Sequence, residues 1–80
     1  MKDEAKNQIK EIKEMIQVVL LAIPREISAR KFYLNAAKKA TGDKSREMFI
    51  QLAEQEKEHE TKLRNILETL KTELKQVKQS

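Results

Sequence analysis

Only one glycine and one proline occur among the 80 residues of this sequence, and this scarcity constrains its fold more than any other feature. Strands and long loops are usually punctuated by these two residue types. The glycine lies in the segment ATGDKS, where Gly42 suits the left-handed position that ends a helix and Asp43 suits the N-cap of the next helix. The sequence therefore predicts an all-α fold, an antiparallel helical hairpin with a turn at residues 41–44.

The predicted hairpin forms a single domain over residues 1–80, with a first helix at about residues 3–40 and a second at about residues 44–78. Pro24 lies within the first helix and has no N–H to donate, so it either kinks this helix or begins a new helical segment. The sequence leaves both alternatives open.

Apolar residues recur at alternating steps of three and four on both predicted helices, which is the pattern of two helices packed along a common seam. The first stripe consists of Ile9, Ile12, Ile16, Val19, Ile23, Glu26, Arg30, Tyr33, Ala37 and Ala40. The second consists of Phe49, Leu52, Glu56, His59, Leu63, Ile66, Leu70, Leu74 and Val77. The strongly polar members of these stripes are candidates for a function rather than for packing.

Three of these polar residues are predicted to meet. Glu26 lies about 16 residues before the turn, and Glu56 and His59 lie about 14 and 17 residues after it, so all three share a height roughly 20 to 25 Å along the hairpin. A glutamate and a histidine three residues apart project from the same helix face. Carboxylate oxygens with an imidazole nitrogen and no thiolate suit Fe(II) or Mn(II), and Zn(II) can compete. The pattern predicts a metal site.

Other interpretations of the same residues remain open. Glu-x-x-His is a weak motif within the glutamate-rich segment EQEKEHE, and His59 also suits an ordinary half-buried histidine. Glu26 can instead pair with Arg30 one turn later, and this arginine on the seam is the main argument against a metal. The remaining glutamates of the segment are predicted to be solvated surface residues: Glu54, Glu58 and Glu60.

Two helices alone cannot cover their apolar stripes, and so small a chain needs metal or association to build a core. Two hairpins packed antiparallel make a four-helix bundle in which both copies of the three candidate ligands meet around the dyad. The sequence therefore predicts a homodimer or a higher even-numbered oligomer. Both chain ends should then overhang the partner's turn, where Ile9 and Ile12 could mediate contacts beyond the dimer.

The charge pattern disfavours nucleic acid and membrane surfaces as partners. The net charge of +4 arises from 17 basic and 13 acidic residues that are interleaved along the chain. The longest apolar stretch, MIQVVLLAI, is much shorter than the roughly 20 residues of a membrane span. The absence of cysteine excludes disulfides and thiolate-bound metals, and a cytoplasmic location is the default expectation.

Residues 26–63 resemble one half of a ferritin-like domain of the rubrerythrin and bacterioferritin kind. The resemblance rests on Glu26, on Tyr33 within FYLNAA, on Arg46 followed by MFIQLA, and on Glu56 with His59. Family members usually contain this pattern twice in one chain, whereas it occurs once here. The chain is thus similar to half-length ferritin-like proteins, including encapsulated ferritins, which rebuild the bundle by dimerising.

The resemblance implies a role for each matching residue. Glu26 would be the terminal carboxylate ligand of each iron, Glu56 the carboxylate that bridges both ions, and His59 the nitrogen ligand. Tyr33 would lie beside the iron pair and hydrogen-bond a ligating carboxylate. The implied cofactor is two Fe per dimer, and the implied activity is ferroxidase-type oxidation of Fe(II) by oxygen or peroxide.

The chain also departs from the family pattern. It lacks a cysteine-rich electron-transfer module, and Ala29 stands where some rubrerythrins have a further carboxylate, which disfavours a peroxidase role. The tail KTELKQVKQS has no apolar docking peptide, so an encapsulin shell as a partner is unsupported by the sequence. The alternative function is a non-catalytic helical hairpin that self-associates as a structural or adaptor module.

Overall fold

Two long antiparallel helices account for nearly all of the chain. A computed structural model describes residues 2–79 and the side chains of residues 3–79. Helix α1 spans Lys2–Lys39 and helix α2 spans Asp43–Gln79. The Cα atoms occupy 62 × 14 × 12 Å, the shape of two helices lying side by side along their full length. The predicted all-α class and the helical hairpin are confirmed.

Helix α1 continues through Pro24 without interruption. A proline within a helix leaves the carbonyl group of the residue four positions earlier, here Leu20, without its usual N–H partner. Pro24 and Leu20 are both exposed, so water can hydrate that carbonyl group. Since a single helix runs through Pro24, the alternative of a new helical segment at this residue is not found.

The turn is closed by a side chain rather than by a left-handed glycine. Gly42 has no positive φ, and its carbonyl group accepts the first hydrogen bond of α2, from the N–H of Arg46 at 3.0 Å. Gly42 is therefore the N-cap and Asp43 is already helical, so both predicted roles are wrong. Arg46 donates from Nη1 to Oδ1 of Asp43 at 3.0 Å and from Nη2 to the carbonyl oxygen of Ala40 at 3.1 Å. This arginine satisfies a carbonyl group at the end of α1 that a left-handed cap would satisfy through the backbone.

The core is a thin line of side chains between the helices. Val19, Ile23 and Leu67 form its centre, where partly buried apolar residues from both helices surround them. All members of the stripe predicted for α1 are buried or half-buried. The described side chains that are less than a tenth exposed are Ile12, Val19, Ile23, Ala37, Ala53 and Leu67.

The stripe predicted for α2 is wrong at two positions, Ile66 and His59, and the second is described with the metal cluster below. Leu67 is 8% exposed and packs in the core, whereas Ile66 is 47% exposed. The step after Leu63 is therefore four residues rather than three. Because both neighbours are large and apolar, the hydrophobic pattern allows either step, and the packing against Val19 and Ile23 selects Leu67.

At the open end of the hairpin, the side chain of Ile12 is not exposed for contacts with other chains. This side chain is 6% exposed, because it packs against α2 within a single chain, and Ile9 is half-buried. The predicted contacts of these residues beyond a dimer therefore lack a free surface at Ile12. Within residues 2–79, neither helix has a segment long and apolar enough to cross a membrane.

Candidate metal centre

Glu26, Glu56 and His59 meet at the middle of the hairpin. Glu26 lies on α1, two residues after Pro24, while Glu56 and His59 lie three apart on α2 and so project from the same side of that helix. One ligand atom from each residue lies within 4.8 Å of the other two. The structure thus brings together the three side chains that the sequence predicted to converge.

The imidazole of His59 lies between the two carboxylates. Its Nδ1 atom is 3.6 Å from Oε2 of Glu26 and 3.6 Å from Oε2 of Glu56. These distances are longer than those of well-formed hydrogen bonds, so the three groups are neighbours rather than a closed network. The carboxylates are mostly covered, with side chains 25% and 19% exposed, whereas His59 is 53% exposed. The cluster therefore opens to one side of the hairpin.

Glu26 disfavours the ionised form of Glu56. The neighbouring Glu26 raises the pKa of Glu56, chiefly because a side-chain hydrogen bond to Glu26 favours the protonated form of Glu56. Partial burial raises this pKa further, as does the charge of Glu26, while His59 acts in the opposite direction. A cation placed between the three groups would remove this repulsion. The donor set, two carboxylates and an imidazole without a thiolate, suits Fe, Mn or Zn.

Arg30 binds away from this cluster. Its Nη1 atom donates to Oε1 of Glu60 at 3.2 Å, and Nε of Arg64 donates to Oε2 of the same carboxylate at 2.8 Å. The alternative in which Arg30 pairs with Glu26 is not the one found. The prediction that Glu60 is a solvated surface residue is also wrong, because its side chain is only 15% exposed. Sequence reasoning missed Glu60 because it placed His59 on the seam, whereas Glu60 is the residue that contacts α1 at this height.

The signal for Glu60 was nevertheless present in the sequence. It lies four residues after Glu56 and three before Leu63, so a seam with the steps 56, 60 and 63 passes through it. The same choice between a step of three and a step of four separates Leu67 from Ile66. Glu54 and Glu58 are exposed, as predicted.

Tyr33 is half-buried two turns after Glu26, and its ring packs edge-on against Phe32, with centroids 5.7 Å apart and planes at 79°. Across residues 2–79, no hydrogen bond joins the Tyr33 hydroxyl group to a carboxylate of the same hairpin. The predicted contact with a ligating carboxylate therefore stays a prediction.

One side of the hairpin, which we call the open face, carries both the exposed edge of His59 and many uncovered apolar side chains. Each residue of the open face comes one position before a seam residue in the sequence. One position corresponds to a rotation of about 100° around the helix axis. Because the two helices are antiparallel and face each other, a step of one residue toward the N-terminus of either helix leads from the seam to the same side of the hairpin. The open face comprises Met15, Val18, Ala22, Ala29 and Phe32 on α1 and Met48, Leu52, His59 and Ile66 on α2.

Comparison with known proteins gives one match. A family model described as Rubrerythrin matches residues 17–80. The matched range includes most of both helices, the turn, and all three residues of the cluster. No curated protein and no solved structure matches the chain.

Proposed function

Because the chain belongs to the rubrerythrin family, we propose that two copies bind two iron ions between them and oxidise Fe(II) with oxygen or peroxide. The observation that carries this proposal is the meeting of three ligand atoms within 4.8 Å at a place where the hairpin is open on one side. A site shared between two chains requires that each chain provides part of the ligand set and leaves it accessible to the other chain.

One hairpin provides too few ligands to surround a pair of metal ions. Two hairpins provide four carboxylates and two imidazoles, the ligand set of di-iron and di-manganese helical bundles. Two divalent cations also balance the charge of four carboxylates that would otherwise repel one another in a bundle interior. Within one copy, Glu26 already raises the pKa of Glu56, chiefly through a side-chain hydrogen bond and in smaller part through its negative charge.

The surface of the hairpin supports association with a second copy. The chain exposes 6556 Å², whereas a compact monomer of 9.4 kDa exposes about 5,000 Å². The difference is larger than the area of about 800 Å² that each partner buries in a standard interface. Packing two open faces against each other would cover the apolar side chains that are exposed on that face, among them Met15, Phe32 and Ile66, and would close the site at the same time.

Each residue has a distinct role in the proposed site. Glu26 and Glu56 would hold the metal ions through carboxylate oxygens, and the family resemblance implies that Glu56 is the carboxylate shared by both ions. His59 gives the nitrogen ligand from the open face, and Tyr33 would orient a carboxylate across the assembled bundle. The bound Fe(II), as substrate, would supply the electrons for reduction of oxygen or peroxide.

Anaerobic titration with Fe(II) tests the proposal directly. We expect about one tightly bound iron per chain in the wild type, loss of this binding in Glu56→Ala and His59→Ala, and oxygen uptake only by proteins that bind iron. Glu58→Ala is the matched control, because that residue is exposed and lies between the two ligands on α2. A wild-type chain with no tight iron would leave the self-associating structural or adaptor module as the better function.

A further inference from the structure

We infer that the open face contains a docking groove for the turn of a second copy, and that charge fixes the antiparallel register of the two hairpins. This inference rests on the proposed two-chain iron site. A groove of about 450 Å³ lies between the ends of the helices farthest from the turn. Its charged lining residues are Glu11 on α1 and Glu73 on α2, and its apolar ones include Ile12, Met15 and Leu70.

The groove lies on the same side of the hairpin as the metal cluster. Glu11 comes one residue before Ile12, and Glu73 comes one residue before the half-buried Leu74. Both glutamates therefore obey the rule that places His59 and Ile66 on the open face. A second hairpin that covers His59 would also extend over Glu11 and Glu73.

The groove and the turn are equally far from the cluster. Glu11 lies fifteen residues before Glu26, and Thr41 lies fifteen residues after it. On α2, fourteen residues separate Gly42 from Glu56, and fourteen separate His59 from Glu73. At about 1.5 Å per residue, both distances are about 21 to 22 Å. A dyad through the metal cluster and perpendicular to the helices therefore places the turn of one copy over the groove of the other.

The charges of the two surfaces are complementary. The turn is flanked by the exposed lysines Lys38, Lys39 and Lys44, and Asp43 beside it is bound by Arg46. Lys39 precedes the half-buried Ala40 and so lies on the open face, at the height of Glu11 of the other copy.

Glu73 would lie at the positive N-terminal end of the other copy's α2, beside Lys44. In the part of the chain that the structure describes, neither Glu11 nor Glu73 forms an ion pair within its own hairpin. Both therefore remain available to a second copy.

The same charges disfavour a parallel arrangement. Two parallel hairpins would bring their lysine-rich turns together and their groove glutamates together, and like charges at close range repel. The lysines of the open ends do not neutralise the groove, since Lys6, Lys10 and Lys13 line a separate groove with Ile9 and Ile16 on the other side of the hairpin. The charged residues that line the first groove are thus both acidic, whereas those of the second groove are the three lysines and Glu14.

Two charge-reversed chains test the inference. One variant combines Glu11→Lys with Glu73→Lys, and the other combines Lys39→Glu with Lys44→Glu. Each alone places like charges at both contacts, so we expect its homodimer to dissociate at least about tenfold more readily than wild type at low salt. An equimolar mixture restores opposite charges at both contacts, so we expect heterodimers with an affinity within about threefold of wild type. Analytical ultracentrifugation and native mass spectrometry of metal-free protein give the readout.

The controls carry the same changes in charge elsewhere. Glu54→Lys with Glu58→Lys, and Lys6→Glu with Lys13→Glu, alter exposed residues outside the groove and the turn, and should dimerise as wild type does. Circular dichroism establishes that each chain is helical. If the groove and turn variants behave like these controls while wild type dimerises, the docking contact is wrong and the iron site stands. A monomeric wild-type protein overturns both the contact and the shared site.

A disulfide gives the register independently, because the chain has no cysteine. Glu11→Cys and Thr41→Cys in one chain are thirty residues apart on one helix and its turn, about 45 Å, so they cannot bond to each other. We expect mild oxidation to give a closed covalent dimer joined through these two positions. Thr41→Cys alone should remain uncrosslinked. Efficient crosslinking of the single variant would indicate parallel hairpins and overturn the inference.

Discussion

The guanidinium group of Arg30 binds Glu60 across the hairpin at 3.2 Å, although Glu26 lies only one turn before it on the same helix. Arg64 holds the other oxygen of Glu60 at 2.8 Å, so this carboxylate is fixed between two arginines. By binding Arg30, Glu60 keeps the positive charge of this arginine away from Glu26. The carboxylate of Glu26 is then left to face His59.

Replacing Glu60 by glutamine should therefore weaken metal binding indirectly. Without the negative charge, Arg30 would turn to Glu26, which lies one turn before it on the same helix, and would compete with a metal ion for this carboxylate. We expect iron affinity to fall about tenfold and the unfolding free energy to fall by about 1 to 2 kcal/mol, since a half-buried arginine loses its partner. Anaerobic iron titration and thermal unfolding measure these effects.

A second substitution separates this mechanism from a general loss of structure. Adding Arg30→Gln to Glu60→Gln removes the competing charge, so we expect iron affinity to return toward wild type while stability stays low. Affinity that remains low in the double variant would contradict the role assigned to Arg30.

Glu56→Gln should stabilise the metal-free protein while it removes metal binding. The raised pKa of Glu56 shows that its ionised form is disfavoured beside Glu26, and glutamine has no charge to repel. We expect the melting temperature of the apoprotein to rise by about 2 to 4 °C, which corresponds to about 0.5 kcal/mol in a domain of this size. We expect Fe(II) to raise the melting temperature of the wild type, and this increase should be absent in Glu56→Gln.

Chelator-treated protein in differential scanning calorimetry gives this comparison, with Glu58→Gln as the exposed control. A lower melting temperature of Glu56→Gln without metal would mean that Glu56 stabilises the hairpin, as expected of a purely structural residue.

Substitutions at two neighbouring residues of α2 should affect different processes, one the folding of the hairpin and the other its association. Leu67→Ala removes a core side chain that packs on Val19 and Ile23, and should cost about 2 to 3 kcal/mol of stability. Ile66→Ala removes a side chain that is 47% exposed on the open face, so it should mainly weaken dimerisation. Urea unfolding at several protein concentrations distinguishes the two. Equal effects of both substitutions on the dimer dissociation constant would contradict the assignment of the faces.

The turn offers a prediction that does not depend on metal. Gly42 has no positive φ, and a Cβ atom added there would meet no atom within 4 Å, so its backbone does not require glycine. As the N-cap of α2, Gly42→Ser should gain a side-chain hydrogen bond and lose flexibility in the unfolded chain. We expect stability to rise by about 0.5 to 1 kcal/mol in thermal unfolding. Gly42→Ala, without the hydroxyl group, should gain less.

The sequence predicts the hairpin because helix periodicity, turn position and the scarcity of glycine and proline all indicate it. It also predicts which three residues meet, since Glu26, Glu56 and His59 replace apolar residues at one height of the seam. These inferences depend on positions along the chain, which an almost uninterrupted helix converts reliably into distances.

The details that the sequence does not predict depend on choices between adjacent residues. Ile66 and Leu67 are both apolar, and His59 and Glu60 are both polar, so the pattern cannot decide which member of each pair faces α1. A rotation of a few tens of degrees about the axis of α2 decides it. The turn differs for another reason, because the side chain of Arg46 takes over a capping role that backbone statistics assign to glycine.

The symmetric pairing that we propose from the equal spacing of the turn and the groove on either side of Glu26 would have a genetic consequence. In a symmetric pair of identical chains, every codon change is expressed at two places, so neither metal position can acquire a ligand, charge or solvent path of its own. A chain with two fused repeats can let its halves diverge, whereas the proposed dimer of this chain would keep both ions in the same surroundings unless a bound oxidant or another protein broke the symmetry.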